Sequence, residues 1–156
     1  MEKRIKIWSI ILVIGVLLVG VWLYQTDRLR FSNEKFGIYT LKNNELAVAD
    51  EDIVWYNASD YRIKLTEKGA EKISALRVGV YGEPFVVKIG DKEIYNGSFW
   101  TPISSVPYHG IAIETLVGQG GIIRLEKGYP PGYGDTDPRN DPRIIAYFQK
   151  IGKLIQ

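Results

Sequence analysis

The residues best suited to chemistry lie in the second half of the chain. His109 is the sole histidine, in Val106-Pro107-Tyr108-His109-Gly110 just after Ser104-Ser105. A serine within reach of a histidine, with an acid behind it, is the nucleophile-base pairing of hydrolases. Such a serine normally needs a strained elbow or another defined activating context, together with an oxyanion hole, and no Gly-x-Ser-x-Gly segment is present. A histidine between proline and glycine reads first as a turn residue, so no catalytic residue is assigned. A small membrane-tethered cell-envelope hydrolase using His109 with Ser104 or Ser105 is the alternative function.

Asp135, Asp137 and Asp141 suggest a cation loop, because hard cations take carboxylate oxygens. Arg139 stands where a further oxygen ligand belongs, and the glycine and distal glutamate of an EF-hand are missing. Asp137-Pro138 and Asp141-Pro142 read instead as turn and helix-capping steps, and no metal is expected. Gly118-Gln119-Gly120-Gly121 lacks the Gly-Lys-Ser/Thr ending of a phosphate loop and reads as a bend. No cofactor is implied. Gly128-Tyr129-Pro130-Pro131-Gly132-Tyr133-Gly134 reads as a surface connector. The most suggestive stretch is 96–108, rich in prolines and aromatics, where Phe99, Trp100 and Tyr108 form a candidate binding patch. Aromatic anchors dominate interface energies, although the same rings would serve equally well as core covering a sheet.

The largest element of the chain is apolar. Residues 7–26 carry no charge and follow Lys3, Arg4 and Lys6. At about 1.5 Å per residue, such a helix spans about 30 Å, the hydrocarbon thickness of a bilayer. Trp8, Trp22 and Tyr24 lie near its ends, as in an aromatic belt. The exit through Val21-Trp22-Leu23-Tyr24-Gln25 lacks the small residues of a signal-peptidase site, so the run reads as an uncleaved anchor. The expected order is a basic cytoplasmic tail (1–6), a transmembrane anchor (7–26), a connector (27–52) and an extracytoplasmic domain (53–156).

The chain has 20 basic and 18 acidic residues. Setting aside the residues that flank the anchor (Lys3, Arg4, Lys6, Arg28, Arg30, Glu2 and Asp27) leaves 15 basic against 16 acidic. A near-neutral outer part offers no footprint for nucleic acid. Cysteine is absent, which excludes disulfides, thiolate metal sites and a cysteine nucleophile, and suits a prokaryotic envelope protein better than a small secreted animal domain. Asn57-Ala58-Ser59 and Asn96-Gly97-Ser98 match a glycosylation triplet but read as turn residues.

Beyond the connector, which has one weak strand near 37–41 and a turn at Asn43-Asn44, Tyr61, Ile63 and Leu65 alternate with Arg62 and Lys64, the period of a half-buried strand. Thr66 is a good N-cap for a helix over 67–76, which Gly69 weakens by about 0.5–1 kcal/mol. Residues 84–89 and 93–95 form a hairpin about Gly90-Asp91-Lys92, 111–114 and 122–125 are further strands, and Asp141-Pro142 opens a final helix ending at Gly152. The order predicts an α+β domain, a mostly antiparallel sheet with helices on one side.

The stretch Tyr61-Arg62-Ile63-Lys64-Leu65-Thr66-Glu67-Lys68-Gly69-Ala70-Glu71-Lys72-Ile73, followed by residues 84–95, resembles the extracytoplasmic head of SecD, a family of protein-export accessory subunits. The resemblance covers roughly residues 54–114 and includes no catalytic motif. It implies a ferredoxin-like β-α-β-β portion facing outside, without the multi-span transport bundle. Together these readings describe a single-pass membrane protein, N-terminus inside, whose outer domain binds protein or polypeptide near the membrane in a non-catalytic role, through its sheet edges and the 99–108 loop.

Overall fold

The computed structural model describes residues 14–22 and 34–155. The chain divides into two compact units, Met1–Glu34 and Lys35–Gln156. In the first, residues 14–22 are helical (α1), and the apolar side chains from Ile14 to Trp22 are exposed. Among the described residues no helix is long and apolar enough to cross a membrane. The rest of the expected anchor, residues 7–13 and 23–26, lies outside the described residues, as does the tail at 1–6.

The second unit is an α+β domain, and it begins earlier than the sequence suggested. Residues 36–49, assigned above to a connector, form β1 (Phe36–Thr40) and β2 (Leu46–Ala49). Phe36 and Ile38 of β1 are buried core residues, so the connector ends before Lys35. The turn at Asn43-Asn44 is present, with Asn44 at positive φ. Then come β3 (Ile53–Asn57), β4 (Arg62–Leu65), α2 (Glu67–Ser74), β5 (Glu83–Ile89), β6 (Lys92–Trp100), β7 (Tyr108–Glu114), β8 (Ile122–Tyr129), α3 (Pro142–Lys150) and β9 (Leu154–Ile155).

The strands form one nine-stranded sheet in the order β2-β1-β5-β6-β7-β8-β4-β3-β9. Pairing is antiparallel except for β6 with β7 and β3 with β9. A ferredoxin-like portion would place β4 beside the hairpin that follows α2. Here β4 lies between β8 and β3, with β7 and β8 separating it from β6, so that part of the expectation is corrected. The physical reason is that β3, unrecognised in the sequence, claims one side of β4, while β8 takes the other.

The sheet curls until its two margins face common partners. Helix α2 packs on both β2 and β4, elements from opposite parts of the strand order. Phe148 of α3 lies 4.9 Å from the ring of Phe36 on β1 and 5.0 Å from that of Tyr56 on β3. Ile73, Ile144 and Phe148 from the helices join Ile38, Phe85, Phe99, Ile111 and Ile113 from the strands in one core. Each such side chain, fully buried, contributes about 1.5–3 kcal/mol.

Local signals place the helices. Thr66 caps α2 by accepting from the Gly69 amide at 3.1 Å. Gly69 is required by packing: a Cβ there would stand 2.9 Å from both Cβ and the carbonyl oxygen of Asp52. Asp52 itself is buried, accepts from the Ala49 amide at 2.9 Å and pairs with Lys72 Nζ at 2.6 Å. This ties the 3-10 turn Asp50–Asp52 to α2. Asp141 caps α3 by accepting from the Arg143 amide at 2.9 Å, with Pro142 in the first turn.

Candidate functional site

The connection from β6 to β7 shapes the face of the sheet opposite the core. These strands are parallel, so the chain must travel back along the sheet, and residues 101–107 do so in a short strap. Successive residues of a strand point to opposite faces. Phe99 therefore packs inward on Phe85 at 5.0 Å, while Trp100 stacks beneath the strap on Tyr108, at 5.0 Å and 23°. Tyr129 approaches Trp100 at 5.9 Å and donates its hydroxyl proton to the Pro102 carbonyl.

Two of the three expected patch residues are thus interior. Phe99 and Trp100 are 0% and 2% exposed, and Tyr108 is half-buried against Trp100, where burial raises its phenol pKa. The correction has a simple cause. Strand β6 runs on to Trp100 because β7 gives it a second neighbour, and Pro102 and Pro107 fall in the strap rather than in the strand.

The surface residues that sequence reasoning missed stand beside this cluster. Tyr81, Ile103 and Leu116 are 79%, 83% and 70% exposed. Glu83 is in register with Phe99, and Trp100 with Glu114. The loops bearing the three residues therefore leave β5, β6 and β7 at the same end of the sheet. The Tyr81 and Ile103 loops are joined by Ser104, whose hydroxyl donates to the Val80 carbonyl at 2.6 Å and accepts from the Val106 amide at 3.1 Å. A sequence signal existed: each is a large apolar residue within two positions of a proline or glycine in a loop, as in Pro102-Ile103-Ser104.

Between the strap and the Tyr129–Pro131 corner lies a cavity of about 330 Å³, lined in part by Ser105, Pro107, Glu114 and Tyr129. A larger cleft of about 550 Å³ runs beside β2 and the end of α2. Among the described residues β2 has a strand neighbour on one side only, so this margin could accept an added strand. The cleft carries both signs of charge, Lys42 and Arg77 against Glu45 and Glu83.

The serine-histidine arrangement is not assembled. Ser104 is buried with its hydroxyl engaged, and among the described residues no hydrogen bond joins His109 to Ser104 or Ser105. His109 Nδ1 lies 3.5 Å from Asp135 Oδ1, and its ring is 4.7 Å from that of Tyr133. The aspartates are engaged too. Asp137 binds Arg139 through both oxygens at 2.7 Å, and that hydrogen bonding holds its carboxyl below the usual range. Asp141 pairs with Arg143 in the same manner, with the same effect. Arg139 also donates to the Leu125 carbonyl at 2.8 Å and lies 3.8 Å over the Tyr61 ring. The acidic stretch is a cap-and-clamp segment pinning residues 137–140 to β8. Among the described residues no group of side chains is arranged to hold a metal ion.

The triplet asparagines also have structural places. Asn57 Oδ1 accepts from the Ser59 amide and hydroxyl at 2.8 and 2.7 Å, closing the turn between β3 and β4, and Asn96 lies in β6. Comparison of the chain with protein-family models, with curated proteins and with solved structures finds no match in any of the three.

Proposed function

We propose that this chain is a single-pass membrane protein, anchored through residues 7–26 with its N-terminus inside, whose outer domain binds a protein or an extended polypeptide without catalysing a reaction. The anchor is supported by its uncharged length behind a basic flank and by the exposed apolar side chains of residues 14–22, which water solvates poorly. Binding is supported above all by one observation: Tyr81, Ile103 and Leu116 stand exposed on neighbouring loops at one end of the sheet. Rigid backing from Ser104 and the Trp100-Tyr108 stack keeps the ordering cost of a partner low.

The residue pattern shared with SecD heads makes export components the first partners to test. The experiment places a photoreactive amino acid at Ile103 of the full chain in its native membrane, with one at Asp91, in the β5-β6 turn at the other end, as comparison. A discrete adduct from position 103, absent from position 91 and lost in Tyr81→Asp, is the expected result. Equal labelling at both positions would end the reading.

A further inference from the structure

We propose that the cavity beneath the strap receives a lysine or arginine side chain of a bound polypeptide, with Glu114 as counter-ion. This rests on the polypeptide-binding reading above. Glu114 is half-buried in the cavity wall, and its carboxylate has no ion-pair or hydrogen-bond partner among the described residues. A carboxylate partly withdrawn from water gains from a cation supplied by a ligand. The walls suit a basic side chain. Pro107, Pro130 and Pro131 offer apolar surface to its methylene stem, and Tyr129 adds an aromatic residue to the same wall. At about 330 Å³ the cavity lies at the small end of ligand sites, near about 300 Å³, which fits one side chain better than an extended cofactor.

Trp100 stands next to Glu114. The two are register partners on β6 and β7, and partners in register project from the same face of a sheet, on strands about 4.8 Å apart. Trp100 is 2% exposed and does not line the cavity, so its indole is a neighbouring reporter of a ligand at Glu114 rather than a contact for it. A metal ion does not fit the cavity, since one carboxylate is too few ligands.

The test uses the full chain in lipid nanodiscs with 15N-labelled tryptophan. The chain has four tryptophans, and the Trp100 indole resonance is the one absent from Trp100→Phe. The probes are N-acetyl-lysine N-methylamide and its uncharged analogue, N-acetyl-norleucine N-methylamide. The lysine probe should shift the Trp100 resonance saturably and the norleucine probe should not. Glu114→Gln should weaken lysine binding roughly tenfold, the loss of one charge-assisted contact, and an unchanged resonance from the Trp55 indole, on β3 of the same domain, reports that the variant stays folded. An equal response to norleucine, an unaffected Glu114→Gln, or a Trp100 resonance that never moves would each overturn the assignment. If the Ile103 adduct forms while the lysine probe fails, the binding reading stands and the role of Glu114 falls. If the probe binds and no adduct forms, the Glu114 pocket stands and the surface reading falls.

Discussion

The pairing of Asp52 with Lys72 yields a stability prediction whose sign depends on pH. Asp52 is 2% exposed, accepts from the Ala49 amide and meets Lys72 Nζ at 2.6 Å. Burial pushes its carboxyl up, but the Lys72 and Ala49 hydrogen bonds, with the nearby charges of Lys72 and Lys68, outweigh burial and leave the pKa lowered. Replacing Lys72 with methionine keeps the stem and removes the charge, leaving a buried carboxylate with one amide donor. Breaking a fully buried pair costs about 3–5 kcal/mol. The Lys72 side chain is 34% exposed, so solvent screening reduces this to about 2 kcal/mol at pH 7.

The pH dependence follows from the direction of the shift. In the wild type the carboxylate adds stability above its unfolded pKa of about 3.9, and that stability is lost as pH falls through the lower folded value. In Lys72→Met burial dominates, the folded pKa rises, and the protonated side chain is tolerated. The difference between the two proteins should therefore be about 2 kcal/mol at neutral pH, on the order of 8 °C in Tm for a domain of this size, and should shrink as the pH falls from neutrality through the variant's raised folded value towards the wild type's lowered one. Thermal unfolding at a series of pH values, followed by tryptophan fluorescence, measures it. A difference that stays constant from pH 7 to pH 3 would refute the argument, because a pure packing loss has no such dependence.

Gly69→Ala should destabilise by about 1 kcal/mol or more, although alanine favours a helix by about 0.5–1 kcal/mol, since the new methyl meets the Asp52 backbone; a stabilised variant in denaturant titration would show that α2 can move. Arg139→Lys should cost about 1–3 kcal/mol, because an ammonium cannot hold both Asp137 oxygens, the Leu125 carbonyl and the Tyr61 ring together. Equal chemical denaturation midpoints would contradict that. Phe148→Ala should cost about 3–5 kcal/mol, since the ring packs on both β1 and β3 and its loss opens the join between the sheet margins. Hydrogen exchange should then accelerate in both strands, and acceleration confined to α3 would argue against that closure.

What the sequence legibly encoded was local. Thr66 at the head of α2, Asp141-Pro142 at the head of α3 and the glycine turn between β5 and β6 each act over a few residues, and each is found where its pattern placed it. The uncharged run at 7–26 is likewise a property of composition. The capping roles of Asp137 and Asp141 were readable for the same reason, since a cap bonds an amide two residues away.

The tertiary structure decided what depends on distant partners. Residues 36–49 read as connector with one weak strand because the two strands are only five and four residues long, yet Phe36 and Ile38 become core once β5 pairs alongside and α3 closes over them. β4 could not announce that its neighbours would be β3 and β8. The aromatic pattern at 99–108 could not say which rings face water: β7 buries Phe99 and Trp100 and leaves Ile103 outside. Nor does any local signal bring Glu114 and the Trp100 indole together, fourteen positions apart in sequence and adjacent in register. Side-chain chemistry is written residue by residue, while exposure and adjacency come from strand pairing across long loops, whose closing cost is offset only by the assembled core.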